Sequence, residues 1–340
     1  MNIPFEAIAE DRPGPKWRTV FDRHWHAYSR WFLREGVRSR PTYLASLKAI
    51  RRHMPELLPA YEQVVEAAGG GDLEARFLSM WCPPAYVGGC SQALIDTSPP
   101  VLIRNYDYSP NLLEGTWLAS RYLGKKTVAM SDCLWGVLDG LNEDGVAVSL
   151  SFGGRTVAGE GFGVPVVLRY VLEMARGTAD AVAILRRVPV HMSYSIAILD
   201  RDGRHATVYV NPDREPEVVA RRVSTNHQHR IEWPRHGRAT RSAERERALA
   251  AAMESSGTAE DALKTFLCPP VYQTDFGRGY GTLYTAVYDP AVATVELIWP
   301  EFRWRQSLAG FREDQHIVSF GEAGWQPAPL KHVLVPRGSP

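Results

Sequence analysis

The stretch CPPAYVGGC, residues 82–90, divides the sequence into two parts of different character. Before it, from Lys16 to Phe77, apolar residues recur at helical spacing and β-branched alternation is scarce. After it, short apolar runs separated by turn residues are typical of strands joined in hairpins. The prolines and glycines between the two parts predict an exposed loop at their boundary.

The second part contains blocks of strands and blocks of helices. Strands are predicted over 101–107, 136–141, 146–150, 194–199, 205–210, 282–288 and 294–299. Amphipathic helices are predicted over 165–175, 178–185, 240–253 and 258–266. This order favours a layered α+β fold over a regular βαβ alternation.

The composition is that of an ordinary globular protein and excludes several classes of function. The 340 residues carry 39 Lys and Arg against 38 Asp and Glu, a net charge of +1, and 45% of them are hydrophobic. Because there is neither a basic field nor a run of like charges, nucleic acid is not expected as a partner. The length suffices to bury a large core without metal or disulfide staples.

Neither a targeting segment nor a membrane span is predicted. The N-terminus lacks a basic region followed by an apolar one, and no segment approaches the roughly 18 apolar residues of a membrane span. The four cysteines form no CxxC pair, which suits reduced thiols, and we therefore expect a cytoplasmic protein. Residues 334–340 include a match to the thrombin-cleavable linker of expression vectors, and we exclude them as a vector remnant.

Cys90 follows two glycines, which leave room for a substrate or other backbone to approach the thiol. A nucleophilic cysteine needs a base, and no histidine lies in a setting that marks it as one. If the peptide bond between Gly89 and Cys90 is broken, Cys90 gains a free α-amine with an ordinary pKa of roughly 7.7–8.0. Cys90 would then supply both nucleophile and base, with Gly88 and Gly89 as an unhindered acyl side for self-cleavage.

The histidines do not indicate a metal site. The pairs His24/His26 and His227/His229 have no acidic or cysteine partner at ligand spacing. They are interpreted as solvated or core side chains, and no metal is predicted.

Four motifs in order along the chain resemble those of the N-terminal-nucleophile (Ntn) hydrolases. They are Gly89-Cys90-Ser91, Arg104-Asn105-Tyr106-Asp107, Asp139-Gly140-Leu141-Asn142-Glu143-Asp144-Gly145 and Ser224-Thr225-Asn226-His227. Within that superfamily the chain is similar to the acyl-coenzyme A:6-aminopenicillanic-acid acyltransferase (peptidase C45) group, and more distantly to the bile-salt and penicillin V hydrolases. The resemblance spans roughly residues 44–288.

The resemblance assigns roles to five residues. Cys90 would be the nucleophile, with Arg104 holding the thiolate environment and Asp107 orienting the α-amine. Asn142, through its backbone N–H, and Asn226, through its side-chain amide, would donate to the oxyanion. Without the resemblance, Asn142 would be interpreted as an ordinary turn residue. Arg104 and Asp107 would be interpreted as a surface ion pair, and Asn226 as a loop amide.

Substrate contacts are assigned to aromatic residues and one late arginine. Tyr106, Trp135 and Phe152 are candidates for the lining of an acyl pocket, although aromatic residues beside strands belong more often to the core. The family usually places a further arginine late in the chain, and Arg278 is the candidate here, without a clean match.

The implied fold is a four-layer αββα sandwich. Residues 1–89 would form a helical prosegment that becomes a small subunit, and residues 90–330 would form the catalytic domain. The implied activity is transfer of an acyl group from a small-molecule amide or thioester, acyl-coenzyme A included, to water or an amine, without cofactor. A homo-oligomer is compatible with it. The alternative is a scaffold or binding protein that keeps the fold and never matures.

Overall fold

A computed structural model of the chain describes residues 1–255, 258–300 and 302–320. The predicted vector remnant at 334–340 and the end of the predicted catalytic domain lie outside the described residues. No helix among the described residues is long and apolar enough to cross a membrane.

The larger of the two sheets has nine strands. In spatial order they are β10 (Glu217–Val219), β9 (His205–Val210), β8 (Tyr194–Asp200), β7 (Val146–Phe152), β6 (Gly136–Asn142), β5 (Thr127–Asp132), β4 (Thr116–Ser120), β1 (Asn2–Ala9) and β15 (Asp314–Ser319). Neighbouring strands are antiparallel except for β1 and β4, which are parallel. The strands from β4 to β9 follow chain order, as expected of successive hairpins.

The second sheet has six strands and carries Cys90. In spatial order they are β11 (Val223–Ser224), β2 (Gly89–Ile95), β3 (Val101–Tyr108), β12 (Gly281–Asp289), β13 (Thr294–Trp299) and β14 (Phe302–Ser307). Cys90 is the second residue of β2 and pairs with Tyr106 on β3.

Nine α-helices surround the sheets in the described part of the chain. They are α1 (Pro15–Phe32), α2 (Tyr43–His53), α3 (Leu58–Ala67), α4 (Asp72–Leu78), α5 (Val164–Met174), α6 (Thr178–Arg187), α7 (Pro234–Ala239), α8 (Ser242–Ser255) and α9 (Ala259–Phe266). Short 3₁₀ turns cover Val37–Ser39, Pro55–Leu57, Pro110–Leu112 and Phe276–Arg278.

The layers confirm the predicted αββα sandwich. Strands β2 and β3 pack face to face on β7 and β8, so that the two sheets form the central layers. Helices α5 and α6 cover the outer face of the nine-stranded sheet, and α8 and α9 cover the outer face of the six-stranded sheet. Each sheet thereby buries both faces, which explains why most of its strands are buried along nearly their whole length, polar residues included.

Residues 1–89 are not helical throughout, because residues 2–9 form β1. Ile3, Phe5 and Ala7 alternate with polar or exposed residues, and all three are buried. This period of two predicts a strand, and the helical prediction for the segment did not include it. Since β1 lies between β4 and β15, the N-terminal segment is part of the large sheet as well as of the helical layer.

The pleat of β3 distributes the predicted site over two faces. Successive side chains on a strand point to opposite faces, so Arg104 and Asp107, three residues apart, cannot share one. Arg104 points between the two sheets, as do Cys90 and Tyr106. Asp107 points outward, toward α8.

Candidate active site

The Cys90 thiol lies between the two sheets, beside the Arg104 guanidinium. Arg104 Nη2 donates a hydrogen bond to Cys90 Sγ at 3.2 Å, and both side chains are buried. Arg104 Nη1 is ion-paired with the buried Asp139 of β6. Tyr284 donates from its hydroxyl to the same carboxylate at 2.6 Å. Asp139 therefore holds the guanidinium so that its second nitrogen faces the thiol.

A second buried ion pair lies behind the Cys90 backbone, on the outer face of the sheet. Arg245 of α8 contacts Asp107 Oδ2 at 3.1 Å, and both side chains are inaccessible to solvent. The Thr282 hydroxyl donates to Asp107 Oδ1 at 2.7 Å. Arg245 also donates to the carbonyl oxygen of Cys90 at 2.6 Å. This pair clamps the backbone of β2 at the proposed nucleophile.

The side-chain amide of Asn226 contacts both the backbone of Cys90 and the guanidinium of Arg245. Its Oδ1 accepts hydrogen bonds from Cys90 N at 3.1 Å and from Arg245 Nη2 at 2.5 Å. Because a guanidinium can only donate, the amide atom facing it must be the oxygen. The Nδ2 group consequently faces the other way, where the carbonyl of Phe152 accepts from it at 3.2 Å. The Ser151 hydroxyl and the Gly88 carbonyl lie 3.4 and 3.5 Å from the same nitrogen, so the amide is held at both of its ends beside Cys90.

The uncleaved chain holds the Cys90 thiol in its protonated form. Burial raises the pKa of the Cys90 thiol, and the neighbouring Arg104 acts in the opposite direction without outweighing it. The nitrogen of Cys90 is an amide in this state and cannot accept a proton. The α-nitrogen of Cys90 therefore cannot serve as a base for the thiol in the uncleaved chain.

Gly89 is required by a close approach of Tyr280. A Cβ atom at residue 89 would lie 1.7 Å from the hydroxyl oxygen of Tyr280, so no larger residue fits without moving that ring. The Tyr280 hydroxyl is itself buried and has no hydrogen-bond partner in the described part of the chain. The peptide bond between Gly89 and Cys90 is thus packed on one side by a tyrosine that the sequence did not indicate.

A cavity of about 170 Å³ opens beside Cys90. Tyr106 and Phe152, two of the three aromatic residues predicted for an acyl pocket, line it. Helix α1 contributes a wall through His24, Ala27, Tyr28 and Trp31. The cavity is therefore built from both sides of the predicted cleavage point.

Two predicted substrate contacts lie elsewhere. The Trp135 indole is fully buried in the core and donates to the carbonyl of Leu78 at 2.9 Å, and Trp135 does not line the cavity. The Arg278 side chain is 85% exposed and lies 3.8 Å from Asp275. Both corrections have the same reason, since neighbours along the chain do not reveal which way a side chain points.

Asn142 is also separated from Cys90. It is the last residue of β6, and its amide donates to the carbonyls of Leu172 and Ala175 at the end of α5. In the β6–β7 hairpin it lies opposite the start of β7, whereas Phe152, near Cys90, ends that strand. Six residues of strand separate these two ends, about 20 Å. Asn142 secures the end of a helix and does not face the cavity.

Two residues of the site, Arg245 and Asp139, were not predicted from the sequence. Arg245 occupies the place for which Arg278 was considered, and its signal was weak because a lone arginine in an Arg- and Glu-rich helix resembles a solvated face. Asp139 lies in a quoted motif, directly after an apolar run that predicts a buried strand. A carboxylate there needs a buried cation, and this signal could have identified it.

Residues 96–304, more than half of the chain, match the model of the acyl-coenzyme A:6-aminopenicillanic acid acyl-transferase family. The chain belongs to this family. The match confirms the resemblance inferred from the four motifs, and it contains Arg104, Asp107, Asn226 and Arg245. It begins just after Cys90. As a member of this acyl-transferase family, the chain is an enzyme whose chemistry is acyl transfer.

Several solved structures are similar to the chain. A mutant of the conjugated bile acid hydrolase from Clostridium perfringens is 12% identical, with a TM-score of 0.49 over 72% of this chain and 99% of that one. The Caenorhabditis elegans ortholog of N-acylethanolamine-hydrolyzing acid amidase is 16% identical, with a TM-score of 0.47 over 68% and 100%. Penicillin V acylase from Agrobacterium tumefaciens is 14% identical, with a TM-score of 0.43 over 69% and 92%. A comparison with curated proteins found no match.

Proposed function

We propose that the chain is a self-processing cysteine amidohydrolase or acyltransferase with Cys90 as its nucleophile. The observation that carries the proposal is the position of Cys90 at the cavity wall, with Arg104 at its thiol and Asn226 at its nitrogen. A buried thiol beside a guanidinium, an amide and a cavity has the parts that acyl transfer needs. The four free cysteines of the structure support a reducing compartment, and we place the reaction in the cytoplasm.

Maturation would begin with attack of Cys90 Sγ on the carbonyl carbon of Gly89. The C–N bond between the two residues breaks, a thioester forms, and the thiol proton passes to the departing nitrogen. Water then hydrolyses the thioester, which frees the thiol and leaves a carboxylate on Gly89 and an α-amine on Cys90. The new amine is the base that the uncleaved chain lacks.

In the mature enzyme, the α-amine would take the thiol proton as Sγ attacks the carbonyl of an amide or thioester. Asn226 Nδ2, which lies 3.5 Å from the carbonyl oxygen of Gly88 in the uncleaved chain, would donate to the developing oxyanion. The leaving amine or thiol receives the proton, and an acyl thioester remains on Cys90. Water or an acceptor amine then attacks the thioester, and the choice between them decides hydrolysis against transfer.

Asp107 and Arg104 would act on different atoms of Cys90. The guanidinium of Arg104 stabilises the thiolate, since it lies against Sγ. Asp107 pairs with Gly89 across the sheet, and its carboxylate lies on the backbone side of Cys90. We propose that Asp107 orients the α-amine once cleavage has freed it, together with Arg245.

The N-terminal segment would remain bound after cleavage as a small subunit. β1 is hydrogen-bonded on both edges, to β4 and β15, and α1 forms a wall of the cavity. Removing this segment would expose two strand edges and a large apolar surface. The proposed small subunit is therefore part of the site as well as of the core.

We expect purified protein to consist of two fragments, residues 1–89 and 90 onward, that elute together in size-exclusion chromatography. The physical reason is the pairing of β1 inside the large sheet. Intact-mass spectrometry under denaturing conditions gives the measurement. A single species of 38.0 kDa in a preparation that turns over substrate would contradict the processing step and favour the non-maturing scaffold.

In processed protein, we expect iodoacetamide to alkylate Cys90 before the exposed Cys268. The α-ammonium created by cleavage lowers the pKa of the thiol beside it, and the cavity admits the small reagent. Peptide mapping after brief labelling measures each site separately, with Cys90→Ser protein as background. Turnover should disappear in proportion to labelling at Cys90. Activity that persists with Cys90 fully blocked would exclude it as the nucleophile.

A further inference from the structure

The wall of the cavity also holds two carboxylates that the proposed mechanism does not use. Glu114 is buried before β4, and Asp132 is half-buried at the end of β5. The Tyr28 hydroxyl of α1 contacts both, Glu114 Oε1 closely and Asp132 Oδ1 at 3.3 Å. The Cys133 thiol lies 3.6 Å from Asp132 Oδ2. These contacts hold both carboxylates in fixed positions at the cavity.

No cation in the described part of the chain neutralises this pair. Within residues 1–255, 258–300 and 302–320, no lysine, arginine or histidine lies within ion-pair distance of either carboxylate. Glu114 Oε2 is buried at the cavity and has no hydrogen-bond partner in this part of the chain. An unpartnered carboxylate oxygen in a desolvated place is costly unless a bound group supplies a donor or a positive charge.

The remaining walls suit a compact cation with an apolar body. Aromatic rings surround the cavity, among them Trp31, Tyr86, Tyr106, Tyr108, Phe152 and Tyr194. Aromatic faces attract ammonium groups, and buried carboxylates complete the binding of such a group. The two carboxylates would repel an anionic group on a ligand.

We propose that the cavity selects acyl donors that carry a protonated amine, which Glu114 and Asp132 bind while the scissile carbonyl lies at Cys90. This inference rests on the proposed function, because it names the substrate class of the same site. Tyr28 belongs to the proposed small subunit and positions the carboxylates, so both sides of the cleavage point contribute to recognition.

Binding is tested first without turnover, in uncleaved Cys90→Ala protein. The probes are N-methylamides of ω-aminoalkanoic acids of increasing length, each matched with the alkanoic amide in which a methyl replaces the ammonium. N-acetyl diamines and N-acetyl alkylamines form the second set, with the charge on the amine side. We expect one ammonium series to bind at least about tenfold more tightly than its methyl partners at pH 8. Equal or weaker binding of both ammonium series would overturn the proposal.

The variant Asp132→Asn assigns the preference to the carboxylate. It should abolish the difference within each pair while leaving the affinity for the methyl partners within about twofold. Glu114→Gln is the second variant, and it retains the acceptor for the N–H of Leu134. A preference that survives in both variants, when both retain the melting behaviour of the parent, would exclude the pair as the ammonium site.

Turnover separates the failure of this inference from that of the proposed function. In processed protein, the preferred ammonium amide should show a lower KM than its methyl partner at similar kcat, and Asp132→Asn should remove this difference in KM. If Cys90 labels and methyl amides react with no ammonium preference, the substrate inference fails and the proposed function stands. If Cys90→Ala protein binds the ammonium probes but no amide is turned over, the binding site stands and the proposed activity fails.

The pH dependence is a further readout with a defined sign. Burial and, to a smaller extent, the neighbouring Glu114 together raise the pKa of Asp132 to about 7. Protonation neutralises Asp132, so affinity for the ammonium probes should fall as pH is lowered through about 7, while affinity for the methyl partners stays constant. The other titratable groups around Asp132 are Tyr28, Tyr86, Tyr106, Tyr108, Cys133, Tyr194 and Tyr284.

Burial raises the pKa of every one of these tyrosines and of Cys133, so they stay neutral in this range. His24 also lines the cavity and would repel the probes when protonated. A pH dependence that persists in Asp132→Asn and vanishes in His24→Gln would overturn the assignment to the carboxylates.

Discussion

Replacing Cys90 with alanine is expected to leave the chain uncleaved and to lower acyl-transfer activity by about 10⁴-fold or more. The variant removes the atom that attacks Gly89 during maturation and the atom that carries the acyl group afterwards. It leaves the fold intact, because the side chain fills little volume between the sheets. Intact-mass spectrometry and initial rates on a model amide measure both effects on one preparation.

The matched control is Cys268→Ala, which makes the same change at an exposed thiol away from the cavity. It should be cleaved like the parent and retain its rate within about twofold. Cleavage at the Gly89–Cys90 bond in Cys90→Ala protein would identify an external protease. A rate in Cys90→Ala that equals the parent's would assign the chemistry to another residue.

Arg245→Lys is expected to lower kcat/KM by about 10²–10³-fold. The guanidinium donates at once to Asn226 Oδ1, to Asp107 and to the Cys90 carbonyl, and one ammonium cannot reproduce this planar arrangement. Without it, the Asn226 amide loses the contact that fixes its orientation beside the Cys90 nitrogen. The loss should fall on kcat more than on KM, since the oxyanion forms only in the transition state.

Arg278→Lys is the matched control, because it makes the same substitution at the exposed arginine first considered for this place. It should leave kcat/KM unchanged within about twofold. Melting temperatures are measured for both variants, because a buried Asp107 with a weakened partner also costs stability. If Arg245→Lys melted early but kept its kcat when folded, Arg245 would be a structural residue. If Arg278→Lys lost activity instead, the exposed arginine would belong to the site.

The strand and helix patterns carried most of the information about the fold. The strands predicted over 194–199 and 205–210 are confirmed as the neighbours β8 and β9, because turn chemistry and alternation are local properties of the chain. The helix predicted over 258–266 is confirmed as α9, and the Thr258 side chain at its N-cap accepts from the N–H of Asp261. β1 was missed because an isolated strand at a terminus gives no hairpin signal and finds its partners far away, at β4 and β15.

For the candidate site too, local motifs predicted some residues correctly and others incorrectly. Cys90, Arg104 and Asn226 were predicted from short motifs, and the structure places both Arg104 and Asn226 within hydrogen-bond distance of Cys90. Asn142 lay in an equally good motif but secures α5, at the far end of a hairpin. A motif names residue types and spacing, and it does not say which end of a strand reaches the nucleophile.

By itself, the sequence determined the layered α+β class and the family and indicated Cys90 as the candidate nucleophile, because periodicity and motif order are local properties of the chain. Only the tertiary structure decided that Arg245 takes the place considered for Arg278, that Asp139 holds Arg104, and that Glu114 and Asp132 share the cavity wall. These pairings join residues more than fifteen positions apart on different strands and helices. Their contacts depend on which sheet face each side chain occupies, and that is set by the packing of the layers.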